Sequence, residues 1–406
     1  MEHLQVAVIG AGQAGLSVSR ELMALGVEPV VLERGRIGQT WRDRWESFCL
    51  VTPNWFVQLP GSAYDGPEPD GFLPRDDIVA YLERYVAGAG VPVREEVEVR
   101  SVEPSLDGVT LETSAGNVRA DAAVIATGAY QRPHLPPGAS GLTDSLLRLD
   151  AEGYRSEREL PPGRVLIVGS GQTGCQIAEE LHRAGRDVVV ACGRAPWLPR
   201  RVGGRDFVWW LVESGFLDAT VESLPAPAAR LNANVLATGH LGGHDLHLRT
   251  LRRDGVTLTG HFLGVDGHDA RFAADLRASV AWGDDRYREL AKLFRETATE
   301  RGLDDPGLEE PPPIGDEGPE RLDLRDFGAV IFTAGFRPDY GSWLNWPDAF
   351  DELGFPVHED GESVGRPGVY FVGVHFLRKR KSALLGGVAE DAAIVARRVA
   401  ARLDTG

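Results

Sequence analysis

Two stretches in which a short apolar strand runs into a G-x-G-x-x-G turn and then a helix predict an α/β protein with two Rossmann-like dinucleotide-binding domains. A third observation supports this: Ala122 to Gly128 and Gly328 to Gly335 are β-branched runs that each end in a small-residue turn, the pattern of buried parallel strands. The chain has 406 residues, room for two or three domains. Its 43% hydrophobic and 25% charged residues exclude wholesale disorder. Acidic residues outnumber basic ones, 60 to 43, and a net charge of −17 repels nucleic acid and anionic lipid. Neither is an expected partner. Cys49, Cys175 and Cys192 form no C-x-x-C pair, which excludes a local dithiol centre and a Cys-rich zinc module. No metal site is expected. The start lacks a basic n-region, and its glycines interrupt the apolar run well short of about 20 residues, so a cytoplasmic location is expected.

The first unit opens the chain. Leu4 to Ile9 reads as a buried strand, Leu16, Val18, Leu22 and Leu25 repeat at helical spacing, and a second strand over Glu28 to Leu32 ends in Glu33. Gly10 permits the tight turn, Gly12 lets a pyrophosphate approach the backbone, and Gly15 lets the helix pack close to the strand. The helix N-terminus, with Gln13 and Ala14 in its first turn, offers N–H donors and a positive dipole end. Glu33, followed by Arg34, can accept from ribose hydroxyls.

The second unit lies in mid-chain. Arg164 to Val168 is the strand, Gly169, Ser170, Gly171, Gln172, Thr173 and Gly174 make the turn, and Ile177 and Leu181 mark the helix. After the strand Asp187 to Cys192, the place that Glu33 held in the first copy carries Arg194. A guanidinium there pairs with a 2′-phosphate, which favours NADP(H) over NAD(H); a solvated arginine is the alternative. Arg200 and Arg201 follow within reach of the same loop. Cys175 reads as a small packing residue.

Near the C-terminus, Val369 to Gly373 forms another strand and Gly386-Gly387 opens an amphipathic helix through about Ala401. The segment 328–335 is expected to bring the chain back to the first sheet. Gly302 to Pro319, rich in Pro, Gly, Asp and Glu, reads as a linker. Two dinucleotide folds imply a resident FAD and an NADPH hydride donor meeting across one cleft. The expected domains are 1–154 and 318–406 for FAD, with 155–317 inserted for NADPH.

Nearly the whole chain resembles the flavin-containing monooxygenases, the class B flavoprotein monooxygenases that include the YUCCA type. The resemblance rests on GAGQAG at Gly10 to Gly15, GQTWRDRW at Gly38 to Trp45, TPNWFVQLPG at Thr52 to Gly61 and ATGAYQRPHLP at Ala126 to Pro136. GSGQTG at Gly169 to Gly174, TAGFRPDY at Thr333 to Tyr340 and FLRKRKSALLGGVAEDA at Phe376 to Ala392 complete it. It implies that NADPH reduces FAD, that O₂ then gives a C4a-(hydro)peroxyflavin, and that one oxygen atom passes to a small molecule. It also implies that Thr40, Trp41, Arg42, Gln58, Thr127, Gly128, Lys381, Ser382 and Leu384 border the cofactors. One departure stands out. Of the class B fingerprint F-x-G-x-x-x-H-x-x-x-Y/W only Tyr154 remains, with Asp144, Leu146 and Asp150 in the other places. An NADPH-dependent reductase or oxidase that makes only peroxide is therefore the second expectation, and a redox-sensing flavoprotein the third.

Several side chains have two readings. Asn54 is a candidate catalytic residue, because an amide can hydrogen-bond a peroxide without protonating it; a turn role is the equal alternative. His134 and His375 are possible proton carriers or satisfied structural residues, and Asp391 a hydrogen-bonding acid near the flavin or an exposed helix acid. The Arg378 to Lys381 run is expected near cofactor phosphates or as a solvated loop. Trp209, Trp210, Trp343 and Trp346 either shape an apolar substrate pocket or belong to the core.

Overall fold

The computed structural model describes residues 1–105, 108–142 and 146–405. The first sheet has a parallel centre in the order 93–94, Pro29–Leu32, Glu2–Ile9, Gly116–Ile125, Val369–Phe371. The antiparallel strands Val99–Ser105 and Gly108–Thr113 extend it through the first half of Gly116–Ile125. Both faces are covered at the centre, so the inner stretches Val6 to Ile9 and Ala122 to Ile125 are apolar throughout. Val6 and Val8 pack with Leu16, Leu22, Val388 and Val395 of the helices Gln13–Ala24 and Val388–Thr405. Ala7 and Ile9 pack on the opposite face with Val102, Leu111, Trp346 and Phe371.

The second sheet is wholly parallel, in the order Leu147–Asp150, Phe327–Phe332, Arg164–Val168, Val188–Ala191, Thr257–Thr259. Val165 and Ile167 face a core that includes Ile177, Leu181 and Phe294, from the helices Gln172–Arg183 and Leu276–Glu300. Leu166 and Val168 face Phe262, Phe272 and Phe327. This corrects two expectations. The segment 328–335 joins the second sheet and not the first, because Val165 to Val168 pairs with Ala329 to Phe332 in parallel register. The bounds 155 and 317 accordingly leave out two of this sheet's five strands.

The chain crosses between the sheets twice, once after Ile125 and once after Phe332. The two crossings pair with each other, Pro133 with Phe336 and Arg132 with Arg337, as a short antiparallel ribbon. Gln131 Oε1 accepts from Asp339 N at 2.6 Å, and Tyr340 donates to Gly128 O at 2.7 Å. The segment 303–319 is irregular and lies along the second unit, tied by Tyr287 to Glu309 O and by Arg249 to Pro312 O. Among the described residues, no helix is long and apolar enough to cross a membrane.

Candidate functional site

At the first motif Gly10 has φ 106°, which an L side chain rarely adopts, and an ideal Cβ there would lie 3.0 Å from Ala126 O. An ideal Cβ on Gly15 would overlap Gly10 O, whereas one on Gly12 would meet nothing within 4 Å. The helix that begins at Gln13 has no side-chain cap, so its first N–H groups lie beside that open space. Glu33 is buried; its Oε2 accepts from Ala11 N at 2.7 Å and its Oε1 from Gly35 N at 2.9 Å. The acid is thereby fixed at the rim of the motif. Ala14 abuts Gly373, where an added Cβ would collide with it, so the strand Val369–Phe371 ends against the same motif.

Gln13 ties three distant segments together. Its Nε2 donates to Ala383 O at 3.0 Å, and its Oε1 accepts from Trp41 Nε1 at 3.1 Å. Ser382 is buried, with Oγ accepting from Lys379 N at 2.9 Å and Arg378 N at 3.2 Å. Leu384 is half-buried against the second unit's core. Gly128 has φ 71°, and Gln131 Nε2 donates to Thr127 Oγ1 and Gly128 O. Arg34, Thr40 and Gln58 are exposed. Arg42 points elsewhere: its Nε donates to Ile37 O at 3.0 Å, and its guanidinium pairs with Glu83. Asn54 is buried in its own loop, donating to Glu68 O at 2.9 Å and accepting from Leu73 N at 2.7 Å, which is the turn role.

The second motif repeats the first. Gly169 has φ 117° and backs onto Thr333, an added Cβ on Gly174 would overlap Gly169 O, and one on Gly171 would meet only Ala233 Cβ, at 3.7 Å. This helix too has no side-chain cap. Ser170 Oγ accepts from Gly193 N at 3.0 Å, Gln172 clasps the backbone of Ala237 at both its N–H and C=O, and Thr173 is half-buried. Arg194 is exposed at the end of the strand Val188–Ala191. Beside it, unforeseen from sequence, is His261: its Nε2 lies 3.6 Å from the ideal Cβ position of Gly193, and its Nδ1 is 2.7 Å from Asp275.

Two basic residues, Arg200 and Lys381, have protein partners in place of the expected phosphates. Arg200 is 3% exposed and bound to Asp206 through Nε and Nη2 at 2.8 and 2.6 Å, while its Nη1 donates to Val51 O. Burial forces it to keep that partner, so it cannot serve a phosphate. Arg201 is exposed on the adjoining hairpin. Lys381, with Lys379, binds Asp218 of the second unit and Glu390 of the C-terminal helix at 2.5 to 3.0 Å. The RKRK run is thus a clasp between units. Arg378 reaches Asp360 and Asp391. Asp391 is 1% exposed, and burial pushes its pKa up.

Trp210 is stacked on Phe294 and donates to Val202 O, and Trp346 is equally buried, so both are core; Trp209 and Trp343 are half-buried against the same cores. Burial, then Arg380 and Arg230, hold His375 down at about 4, and burial with Arg337 and Arg132 lowers His134. Burial raises the Cys49 thiol to about 11 and Cys192 to about 12, and Cys175 higher still, so none is a thiolate at neutral pH. Of the fingerprint places, Asp144 lies outside the described residues. Asp150 caps the turn at Glu152 and Gly153, Leu146 is buried, and Tyr154 donates to Glu180 at 2.8 Å.

Residues 7–208 match the pyridine nucleotide-disulphide oxidoreductase family model. A CzcO-like oxidoreductase of Geobacillus kaustophilus is 30% identical over 97% of both chains. The indole-3-pyruvate monooxygenase YUCCA1 of Oryza sativa is 31% identical over 48% of this chain and 50% of its own. A flavin-containing monooxygenase from Stenotrophomonas maltophilia has the same fold, with a TM-score of 0.69, 22% identity, and 99% and 100% of the two chains covered.

Proposed function

Because this chain belongs to the flavin-containing monooxygenase family, among its CzcO-like oxidoreductases, we infer that it passes one atom of O₂ to a small, apolar or aromatic molecule at the expense of NADPH. The observation that carries this reading is the pair of uncapped helix N-termini, each beside a glycine, Gly12 or Gly171, that leaves open space before the backbone. FAD, once bound at the first of them, supplies the hydride acceptor and the reaction with O₂. The chain's own residues bind and orient. Gly12 and the N–H groups after it receive the flavin diphosphate, and Glu33, already held by Ala11 and Gly35, keeps lone pairs for ribose hydroxyls. Gln13 fixes Trp41 and residues 381–384 along that cofactor. Gly171 receives the nicotinamide diphosphate, and Arg194 pairs with the 2′-phosphate. Asn54 acts as a positioning residue, holding the segment 68–73 closed over its own loop.

The altered fingerprint supports a second reading, an NADPH-dependent oxidase that releases peroxide without oxygenating anything. Rapid mixing of the NADPH-reduced holoenzyme with oxygenated buffer separates the two. Flavin absorbance that pauses between the reduced and oxidised spectra while NADP⁺ is bound is the expected result. Direct return to the oxidised spectrum with one peroxide per NADPH would leave the oxidase.

A further inference from the structure

The strands Val188–Ala191 and Thr257–Thr259 run parallel with Ala191 beside Thr259, and Cys192 N donates to Thr259 O at 3.1 Å. Two residues further on, the same register sets Gly193 level with His261, and Arg194 follows next. Nucleotides bind beyond such carboxyl ends of a parallel sheet. Gly193 is tied to the second glycine motif, its N and O both hydrogen-bonded to Ser170 Oγ, at 3.0 and 3.1 Å. The imidazole of His261 lies against this glycine, with Nε2 3.6 Å from its ideal Cβ position. From the other side Asp275 accepts from His261 N at 2.9 Å and lies 2.7 Å from Nδ1. Gly260 permits that grip, since an added Cβ would lie 2.3 Å from Asp275 Oδ1. With Nδ1 given to Asp275, Nε2 is the free end of the ring, and it has no partner among the described residues. The exposed Arg194 has none either. The other charges along these elements are engaged: Arg252 and Arg253 by Asp316 and Asp254, and Arg277 by Glu317. Cys192, next to Gly193, is buried and its thiol stays neutral. A guanidinium and an imidazole thus stand unpaired at adjoining strand ends, and a carboxylate backs the imidazole.

We propose that His261 is the second ligand of the nucleotide's 2′-phosphate, beside Arg194, and binds it as an imidazolium balanced by Asp275, so that docking of NADP(H) draws a proton from solvent. The proposal rests on the reading that NADPH docks at the second motif, and it adds what sets the choice of nucleotide there. A protonated ring donates Nε2–H to a phosphate oxygen. A neutral ring held by Asp275 at Nδ1 turns a lone pair toward the same place, which repels phosphate but accepts from the 2′-hydroxyl of NAD(H). Phosphate binding therefore favours the protonated ring, and the added affinity is lost as pH rises through the titration of the complex. The phosphate gains charge above its second pKa of about 6, and a guanidinium stays charged throughout, so neither accounts for a loss of affinity in that direction.

Calorimetric titration of the FAD-loaded protein with NADP⁺ and with NAD⁺, at about pH 6.5 and about pH 8.5, tests this. Wild-type affinity for NADP⁺ is expected to fall about tenfold between the two, and that for NAD⁺ to change by less than about twofold. His261→Gln should bind NADP⁺ about tenfold more weakly at the lower pH and lose the pH dependence. Repeating the titrations in buffers of different ionisation enthalpy reads the proton itself, with uptake expected on NADP⁺ binding to the wild type and none in His261→Gln. Asp275→Asn keeps an acceptor for Nδ1 but not the charge, so it should move the loss of affinity to lower pH. It also keeps the test readable if glutamine disturbs the strand end. NADP⁺ affinity that ignores pH in the wild type, or a His261→Gln variant that weakens both nucleotides equally, would overturn the proposal. Arg194→Gln separates it from the reading beneath: a preference for NADP⁺ lost there but kept in His261→Gln sinks the histidine alone. A wild type with no preference for NADP⁺ over NAD⁺ sinks both.

Discussion

At the scale of single residues, Gly12 and Gly15 stand three positions apart in one motif and answer to different neighbours. A methyl group on Gly15 would press on Gly10 O, and Gly15→Ala is expected to lower unfolding free energy by about 1 to 3 kcal/mol in denaturant titrations of the apoprotein. The open space at Gly12 gives the opposite outcome. Gly12→Val should fold with stability within about 0.5 kcal/mol of the wild type and yet retain no flavin, read as the ratio of flavin to protein absorbance. Arg194→Gln should raise the Kd for NADPH about tenfold and leave that for NADH unchanged; equal effects on both would end the 2′-phosphate role. The buried pair Arg200–Asp206 is structural, and Asp206→Ala should cost about 3 kcal/mol by stranding a guanidinium that is 3% exposed. The glycines were legible in the sequence because their constraint is local: a turn, a close approach and a helix start fall within six residues. The destination of Arg200 was not, because its partners include Val51 O, 149 residues away in sequence.

Among the elements, the clasp of Lys379 and Lys381 on Asp218 and Glu390 joins the C-terminal helix to the second unit. Burial raises the pKa of both acids, but the hydrogen bonds from the two lysines outweigh it, and both lie below their ordinary values of 3.8 and 4.5. A lowered folded-state pKa means that the clasp contributes fully above the ordinary carboxylate range and is lost as pH falls through the lower folded values. The acids are more than a third exposed, so the contribution is about 1 kcal/mol or less and is screened by salt. The Tm difference between wild type and Lys381→Met should therefore be present at pH 7 and vanish in acid and in high salt. The sequence showed a basic run here, but of its two acidic partners only Glu390 is near in sequence, while Asp218 comes from a distant element of the second unit. The same limit explains the strand Phe327–Phe332. Its β-branched pattern marked it correctly as a buried parallel strand, but an apolar run carries no label for one sheet or the other, and its likeness to Ala122 to Gly128 pointed to the wrong one.

For the molecule as a whole, the second sheet takes strands from 147–150 to 327–332, so its core is closed by chain outside the expected 155–317 limits. A fragment of 155–317 loses Phe327–Phe332 from between its neighbours and is expected to show no cooperative thermal unfolding by circular dichroism. A fragment of 146–334, which keeps all five strands, should unfold cooperatively. The two-unit α/β architecture itself was legible, because each glycine motif announces its own sheet. How the chain threads between the units was not, since neither crossing carries a hydrophobic period.

Those crossings have a mechanical consequence. A body held by one tether can tumble, whereas two tethers stitched edge to edge behave as the pin of a door: they leave a swing about their common line and oppose sliding or twisting away from it. If the nucleotide-bearing halves move during turnover, the ribbon at 132–133 and 336–337 confines them to that single arc. Each return stroke would then bring the electron donor to the same place over its acceptor.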